Sequence, residues 1–140
     1  MWRYFLGGLI ALLAACSEQP SGQMDTVSSL KIWAHAGQAA ERHVLEQQVA
    51  RFNAAQPDIM VELTFIPERS YNAQVQAAAV AGELPDVLEF DGPFLYNYVW
   101  QGHLVPLDKL LSAGTQDELL LSITKQGRYH GYLYCVATFD

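Results

Sequence analysis

The sequence predicts an α/β fold, doubly wound around a mostly parallel sheet with helices on both of its faces. Three observations predict this fold. Between residues 30 and 100, short segments that are apolar or have every second residue apolar alternate with longer amphipathic segments. Gly and Pro separate these segments, and the first apolar segment has almost no polar face. Buried strands that alternate with helices are typical of parallel sheets with right-handed crossovers.

The first strand is predicted over residues 30–34, and a turn at 35–37 leads into a helix over 38–56. The apolar residues of this helix recur at i, i+4 and i+7 and form one stripe: Leu45, Val49 and Phe52. Pro57 is expected to end the helix because proline has no backbone N–H to donate.

The second strand is predicted over residues 59–66, where apolar and polar residues alternate. Its polar face indicates a strand that is less covered than the first one. Residues 67–70 are the following loop, and Ser70 is the expected N-cap of a second helix. The apolar stripe of that helix consists of Tyr71, Val75 and Ala78. Gly82 and Pro85 are expected to end it.

The third strand is short and apolar: Val87, Leu88 and Phe90. Asp91, Gly92 and Pro93 break it, and proline suits the first position of the third helix that follows. We expect Ile32, Phe65 and Phe90 to lie side by side in parallel strands, so that the segments after them gather along one rim of the sheet.

The last third of the chain predicts smaller elements. Asp108 is expected to cap a short helix, and residues 115–118 fit a capping box for another helix whose apolar part is 119–123. Residues 127–136 are rich in Tyr and predict a final hairpin or strand.

The first 29 residues predict export and attachment to a membrane. Residues 1–15 combine a basic start, a short apolar run and small residues, as in a signal peptide; a buried helix or an uncleaved anchor is the alternative. Residues 13–16 resemble a bacterial lipobox, which implies that Cys16 is lipidated; an ordinary cleavage site is the alternative. Residues 16–29 predict a flexible tether. The protein is therefore expected in the periplasm or at the cell surface, anchored to a membrane by lipid.

Composition excludes some classes of function. The chain has 140 residues, 51% of them hydrophobic, and a net charge of -7. Its acidic balance argues against a nucleic-acid partner, which needs clustered Lys and Arg. Once Cys16 is lipidated, Cys135 is the remaining cysteine of the chain, so no internal disulfide is expected, and a buried structural thiol is its predicted state.

Several motifs, in order from about residue 30 to the end, resemble the extracellular solute-binding proteins of sugar importers of the ABC type. They are Leu30-Lys-Ile-Trp-Ala-His35, Phe52-Asn53 with Pro57-Asp58-Ile59, Ala78 to Val87, Gly102 to Asp108, and Gly131-Tyr-Leu-Tyr134. The family commonly has Gly where this chain has Cys135. The resemblance implies a two-lobed protein that delivers a carbohydrate to the transmembrane subunits of an ABC permease. Residues 30–140 would be most of the N-terminal lobe, with the second lobe absent. We expect the chain to be a truncated product or a fragment, of marginal stability alone.

Ligands of open parallel sheets bind beyond the carboxyl ends of the strands. Three loops qualify, and they contain the predicted ligand-binding residues: His35, Gly37, Arg69, Asp91, Gly92 and Phe94. Asp91 can accept two hydrogen bonds from neighbouring sugar hydroxyls, although Asp-Gly-Pro is also good turn chemistry. His35 can donate or accept, or be an ordinary loop histidine. Phe94 is a possible stacking platform, while other aromatics are expected in the core.

No catalytic residue, cofactor or metal site is predicted. Asp86, Glu89 and Asp91 are acidic, but strand alternation places Asp86 on the opposite side from the other two. The alternatives to a binding protein are a secreted α/β hydrolase that uses Asp91 with His35, and a structural lipoprotein without a small-molecule ligand.

Overall fold

The computed structural model describes residues 27–137. The predicted signal peptide, the lipidation site Cys16 and most of the tether lie outside these residues. The first part contains β1 (Ser28–His35), α1 (Ala39–Ala55), β2 (Ile59–Ile66), α2 (Glu68–Ala81) and β3 (Val87–Leu88). A 3-10 turn (Gly92–Phe94) and α3 (Leu95–Trp100) follow. The last part contains α4 (Ala113–Glu118), α5 (Leu121–Gln126), β4 (Arg128–Tyr129) and β5 (Tyr132–Leu133).

The predicted parallel α/β fold is confirmed. The first three strands form one sheet in the order β2-β1-β3, and β1 runs parallel to both neighbours. Their carboxyl ends therefore lie along one rim. The second strand is at an edge of this sheet, which agrees with its half-polar sequence.

The expected register is wrong by two residues for Phe65 and by three for Phe90. Ile32 pairs with Leu63 and Val87, whereas Phe65 pairs with Ala34 and Phe90 lies beyond the end of β3. The cause is the start of β1, which begins at Ser28, inside the segment assigned to the tether, and pairs there with Ile59.

One face of the sheet forms the core with α2 and α3. The central cluster is Ile66, Tyr71, Val75 and Tyr98, and the half-buried side chains packed on it include Trp33, Leu88 and Phe90. The predicted stripe of α2 is confirmed, since Tyr71, Val75 and Ala78 are its buried residues. Gly82 ends α2 in the left-handed conformation (φ 73°), which glycine adopts without a steric cost.

Helix α1 combines a half-buried apolar stripe, Leu45 and Val49, with a polar contact to the sheet. None of its residues is buried, and Phe52 of the predicted stripe is 45% exposed. Asn53 instead reaches β2, where its Nδ2 donates to the carbonyl oxygen of Val61 (3.1 Å) and its Oδ1 accepts from the Val61 N–H (2.9 Å). The side-chain amide thus satisfies the outward-facing backbone groups of an edge strand.

Three predicted helix caps are wrong. Helix α2 begins at Glu68, so Ser70 lies inside it and donates back to the Pro67 carbonyl oxygen (3.1 Å). Helix α4 begins before the predicted capping box, because Ser112 already accepts a hydrogen bond from the Thr115 N–H (3.0 Å). Asp108 caps no helix: its Oδ2 accepts from the N–H of Leu133 (2.9 Å) and so fastens this loop to the hairpin.

The predicted hairpin is confirmed by the antiparallel pair β4–β5. Its two-residue turn, His130 and Gly131, has positive φ at both positions (48° and 87°), as a type I′ turn requires. Cys135 behind it is half-buried rather than fully buried, and burial raises the pKa of its thiol. Within the part of the chain that the structure describes, no helix has both the length and the apolar character that crossing a membrane would need.

Candidate functional site

The candidate site lies at the carboxyl ends of the three parallel strands. His35 is the last residue of β1, Glu68 opens the helix after β2, and Asp91 follows β3. One ligand atom from each of these three side chains lies within 4.8 Å of the others. The parallel topology therefore gathers residues that are far apart in the sequence into one polar cluster.

His35 is at the centre of this cluster and its side chain is only 12% exposed. Its Nε2 lies 3.9 Å from Glu68 Oε1 and its Nδ1 lies 3.8 Å from Glu89 Oε2. The same Glu89 oxygen accepts a hydrogen bond from the backbone N–H of His35 at 2.8 Å. Glu89 therefore joins the end of β1 to the segment that follows β3.

Tyr71 of α2 supports the cluster from the core side. Its ring centroid lies 3.7 Å from that of His35, with 31° between the planes. Its hydroxyl group contacts the carbonyl oxygen of Trp33 at 3.2 Å and also that of Glu89. Burial, and then the negative charge of Glu89, raise the pKa of Tyr71, so its hydroxyl stays protonated and can donate.

The turn between β1 and α1 is held by its own residues. Arg42 Nη1 donates to the carbonyl oxygens of Gly37 (2.8 Å) and Ala36. Gly37 has φ 32°, and a Cβ atom there would lie 2.5 Å from Glu41 Oε2, the oxygen that accepts from the Gln38 N–H. Any other residue at position 37 would be strained by the positive φ and would displace the Glu41 carboxylate from the helix cap.

Three further predicted site residues are Arg69, Gly92 and Phe94. Arg69 and Gly92 are exposed, and the 3-10 turn begins at Gly92. Phe94 is half-buried and stacks on Tyr98, with ring centroids 5.9 Å apart and 20° between the planes. The ring of Phe94 therefore packs on the core cluster with one face.

Of the predicted ligand-binding residues, His35 and Asp91 lie in this cluster, and their role in binding stays a prediction. Glu68, Glu89 and Tyr71 were not among the predicted ligand-binding residues. One sequence signal could have indicated Glu68 as a site residue: it directly follows Pro67, at the end of the second strand. Strand alternation had placed Glu89 on the same side as Asp91, and both carboxylates lie on the His35 rim. Asp86 is engaged elsewhere, accepting from the Lys31 N–H at 2.8 Å.

The cluster is acidic. Among residues 27–137, no Lys or Arg nitrogen lies within 4.0 Å of the Glu68, Glu89 or Asp91 carboxylate oxygens. Such a rim offers hydrogen-bond acceptors and favours ligands with hydroxyl or amino groups over anions. One imidazole nitrogen and two carboxylate oxygens are also ligands that a divalent metal accepts, so a metal ion is a competing occupant to test.

A groove of about 410 Å³ lies beside β3 and is distinct from this cluster. Its lining is mostly apolar and includes Leu84, Leu88, Leu104 and Cys135, but neither His35 nor Asp91. Two of its polar lining residues, Asp86 and His103, are already engaged, with the Lys31 N–H (2.8 Å) and with Gln101 Oε1 (2.8 Å) respectively, whereas the orientation of a small ligand is fixed by polar groups that converge on it. We therefore place the candidate site at the His35 rim.

A parallel α/β lobe with hydrogen-bonding groups at its strand ends is the architecture of a ligand-binding lobe. Residues 47–138 match the family model described as bacterial extracellular solute-binding protein, and the chain belongs to this family. An uncharacterized lipoprotein encoded in the oleD 5′ region of Streptomyces antibioticus is 31% identical over 108 residues, which are 77% of this chain and 24% of that lipoprotein. The chain thus spans about a quarter of the length of this relative.

Solved structures show the same fold. The GacH receptor of Streptomyces glaucescens, solved unliganded and with acarbose, is 24% identical with a TM-score of 0.68, over 78% of this chain and 28% of the receptor. MalE from Bdellovibrio bacteriovorus, solved with bound maltotriose, is 22% identical with a TM-score of 0.67, over 77% of this chain and 27% of MalE. The described residues therefore have the fold of part of such proteins, as the sequence motifs predicted.

Proposed function

We propose that the protein is the substrate-binding lipoprotein of an ABC importer, and that it captures a sugar or oligosaccharide and delivers it to the permease. The observation that supports this most is the cluster of His35, Glu68 and Asp91 at the strand ends, in a chain that belongs to a solute-binding family. The sugar ligands of the GacH receptor and MalE agree with a carbohydrate. Binding and release need no catalytic residue.

In this proposal Asp91 and His35 hold the hydroxyl groups of the sugar. Asp91 is exposed, and an ionised carboxylate can accept hydrogen bonds from two adjacent hydroxyls. The His35 imidazole, tucked between carboxylates, can donate or accept. Gly37, Arg69, Gly92 and Phe94 belong to the loops around this rim and complete the proposed contact set. A second lobe would close over the ligand by a hinge motion.

The proposed location follows from the first residues of the chain. We propose that residues 1–15 are removed and that Cys16 is lipidated, so that residues 16–29 tether the lobe to a membrane, outside the cytoplasm. Mass spectrometry of the mature protein should find acyl chains on Cys16; an unmodified N-terminus would refute the anchor.

The test is isothermal titration calorimetry of the full-length mature protein with three kinds of ligand: neutral oligosaccharides, uronic-acid oligosaccharides and a divalent metal ion. The metal titration is repeated in the presence of a chelator. We expect a neutral oligosaccharide to bind and its uronate counterpart to bind more weakly, because the rim is acidic. Asp91→Ala should weaken binding about 10- to 100-fold, the range for losing a hydrogen bond to a charged group.

Asp58→Ala is the matched control. Asp58 precedes β2, at the amino ends of the strands, so the same change there should leave the affinity for the sugar unaltered. If no sugar binds under any condition, the carbohydrate proposal is wrong. If sugar binds equally well to Asp91→Ala, Asp91 is not in the site. If metal alone binds, and chelator abolishes it, the cluster is a metal centre instead.

A further inference from the structure

We propose that Tyr71 is a positioning residue, which holds the ends of β1 and β3 in the arrangement that the ligand needs; this inference rests on the proposed function. Its motivation is the position of the Tyr71 hydroxyl group, which contacts carbonyl oxygens of both strand ends, at Trp33 and Glu89.

Tyr71 has a single hydroxyl proton but two carbonyl partners, so only one of them receives its hydrogen bond at a time. The Trp33 oxygen already accepts from the Glu89 N–H at 2.9 Å, and its contact with the tyrosine is the longer one, at 3.2 Å. The donation therefore goes to the Glu89 carbonyl oxygen. This bond fixes the peptide that leads from the strand into Asp91.

The same tyrosine also fixes His35 from below. Tyr71 is 1% exposed, so its ring is held by the core. The His35 imidazole lies against that ring, with 3.7 Å between the two ring centroids. Glu89, whose backbone Tyr71 holds, in turn accepts from the His35 N–H. One buried side chain thus contacts two of the three segments that supply the proposed ligand contacts, those after β1 and β3.

Tyr98 offers a matched control in the same core cluster. It is 2% exposed, and its hydroxyl oxygen is buried with no hydrogen-bond partner among the described residues. Tyr71→Phe and Tyr98→Phe remove the same atom from neighbouring buried sites. Only the first removes a hydrogen bond to the rim.

The experiment compares these two variants in the full-length protein by titration with the best-binding sugar, well below the unfolding midpoint of each. Tyr71→Phe should bind about 5- to 10-fold more weakly, as expected for one lost hydrogen bond, and Tyr98→Phe should bind like the wild type. In carbon-13 NMR spectra, the carbonyl resonance of Glu89 should move upfield in Tyr71→Phe alone. A merely structural tyrosine would lower the unfolding midpoint without weakening sugar binding.

Equal sugar affinity of Tyr71→Phe and wild type would overturn the inference while leaving the proposed function intact. So would an equal loss in both variants, because the effect would then come from the core in general. If the wild type binds no sugar, the proposed function fails and the positioning role fails with it. An unchanged Glu89 carbonyl resonance in Tyr71→Phe would refute the inference on its own, because the hydrogen bond would then not hold this strand end.

Discussion

Replacement of Asn53 by alanine tests whether a single side chain completes the outer edge of the sheet. Asn53→Ala removes both hydrogen bonds to Val61, each of which contributes about 0.5–1.5 kcal/mol, or about 1–3 kcal/mol together. Alanine has the higher helix propensity, which returns up to about 0.7 kcal/mol within α1. We therefore expect a net loss of about 0.3–2.3 kcal/mol in the free energy of unfolding.

The assay is urea unfolding followed by tryptophan fluorescence, with Trp33 as reporter because it packs against the core cluster. Asn97→Ala is the control: Asn97 is also helical, but it is exposed and its side chain accepts one hydrogen bond, from Gln101. Its effect should stay within about 0.5 kcal/mol. Wild-type stability of Asn53→Ala would refute the role of the edge contact. Equal destabilisation by both variants would show that the effect belongs to helices and not to the edge of β2.

Two further predictions concern the core and the C-terminal hairpin. Val75 is 1% exposed in the core cluster. Val75→Ala should therefore lower the free energy of unfolding by about 2–3 kcal/mol, because two methyl groups are lost and a cavity remains. Val80→Ala, at a site 92% exposed on the same helix, should be nearly neutral in the same urea assay. Hydrogen bonds from the Leu133 N–H, from the backbone N–H of Asp108 itself and from the Arg128 side chain lower the pKa of the Asp108 carboxyl group. Its contribution to stability should therefore be complete above the unfolded-state pKa, near pH 4, and disappear as the pH falls through the lower folded-state pKa. Unfolding curves of Asp108→Asn and wild type should accordingly converge on acidification; a constant gap would contradict this.

The strands and helices were predictable where one local signal decided them. Both bounds of β2 follow from the alternation in residues 59–66, and Gly82 ends α2 as a residue without a Cβ should. Prediction failed where local signals competed. Thr115 satisfies a capping box, but Ser112 offers an N-cap first, and the sequence does not rank the two.

The candidate site was predictable to the level of the strand ends but not of the contacts. Parallel pairing implies that residues after β1 and β3 meet, which is why His35 and Asp91 could be predicted. The partners of His35 depend on register and rotamer: Glu89 reaches its N–H across 54 positions of the sequence, and Tyr71 lies on a helix whose stripe indicated only burial. A residue can pack in the core and also contact the site, and the helical periodicity of apolar residues predicts only the packing.

The two roles of Tyr71 have a physical consequence for the site. Because its ring is locked in the core with Ile66 and Val75, the position of its hydroxyl group is set by packing and not by the ligand. The Glu89 carbonyl and the His35 ring are therefore placed before a ligand arrives, and less conformational freedom is lost on binding. The carboxylates of Glu68 and Asp91 are exposed, and within residues 27–137 no core side chain donates a hydrogen bond to either of them. Under the proposed function they are therefore the groups that can adapt to a ligand. A core-anchored half and an adaptable half of one rim would allow a fixed mode of binding with some tolerance in the sugar bound.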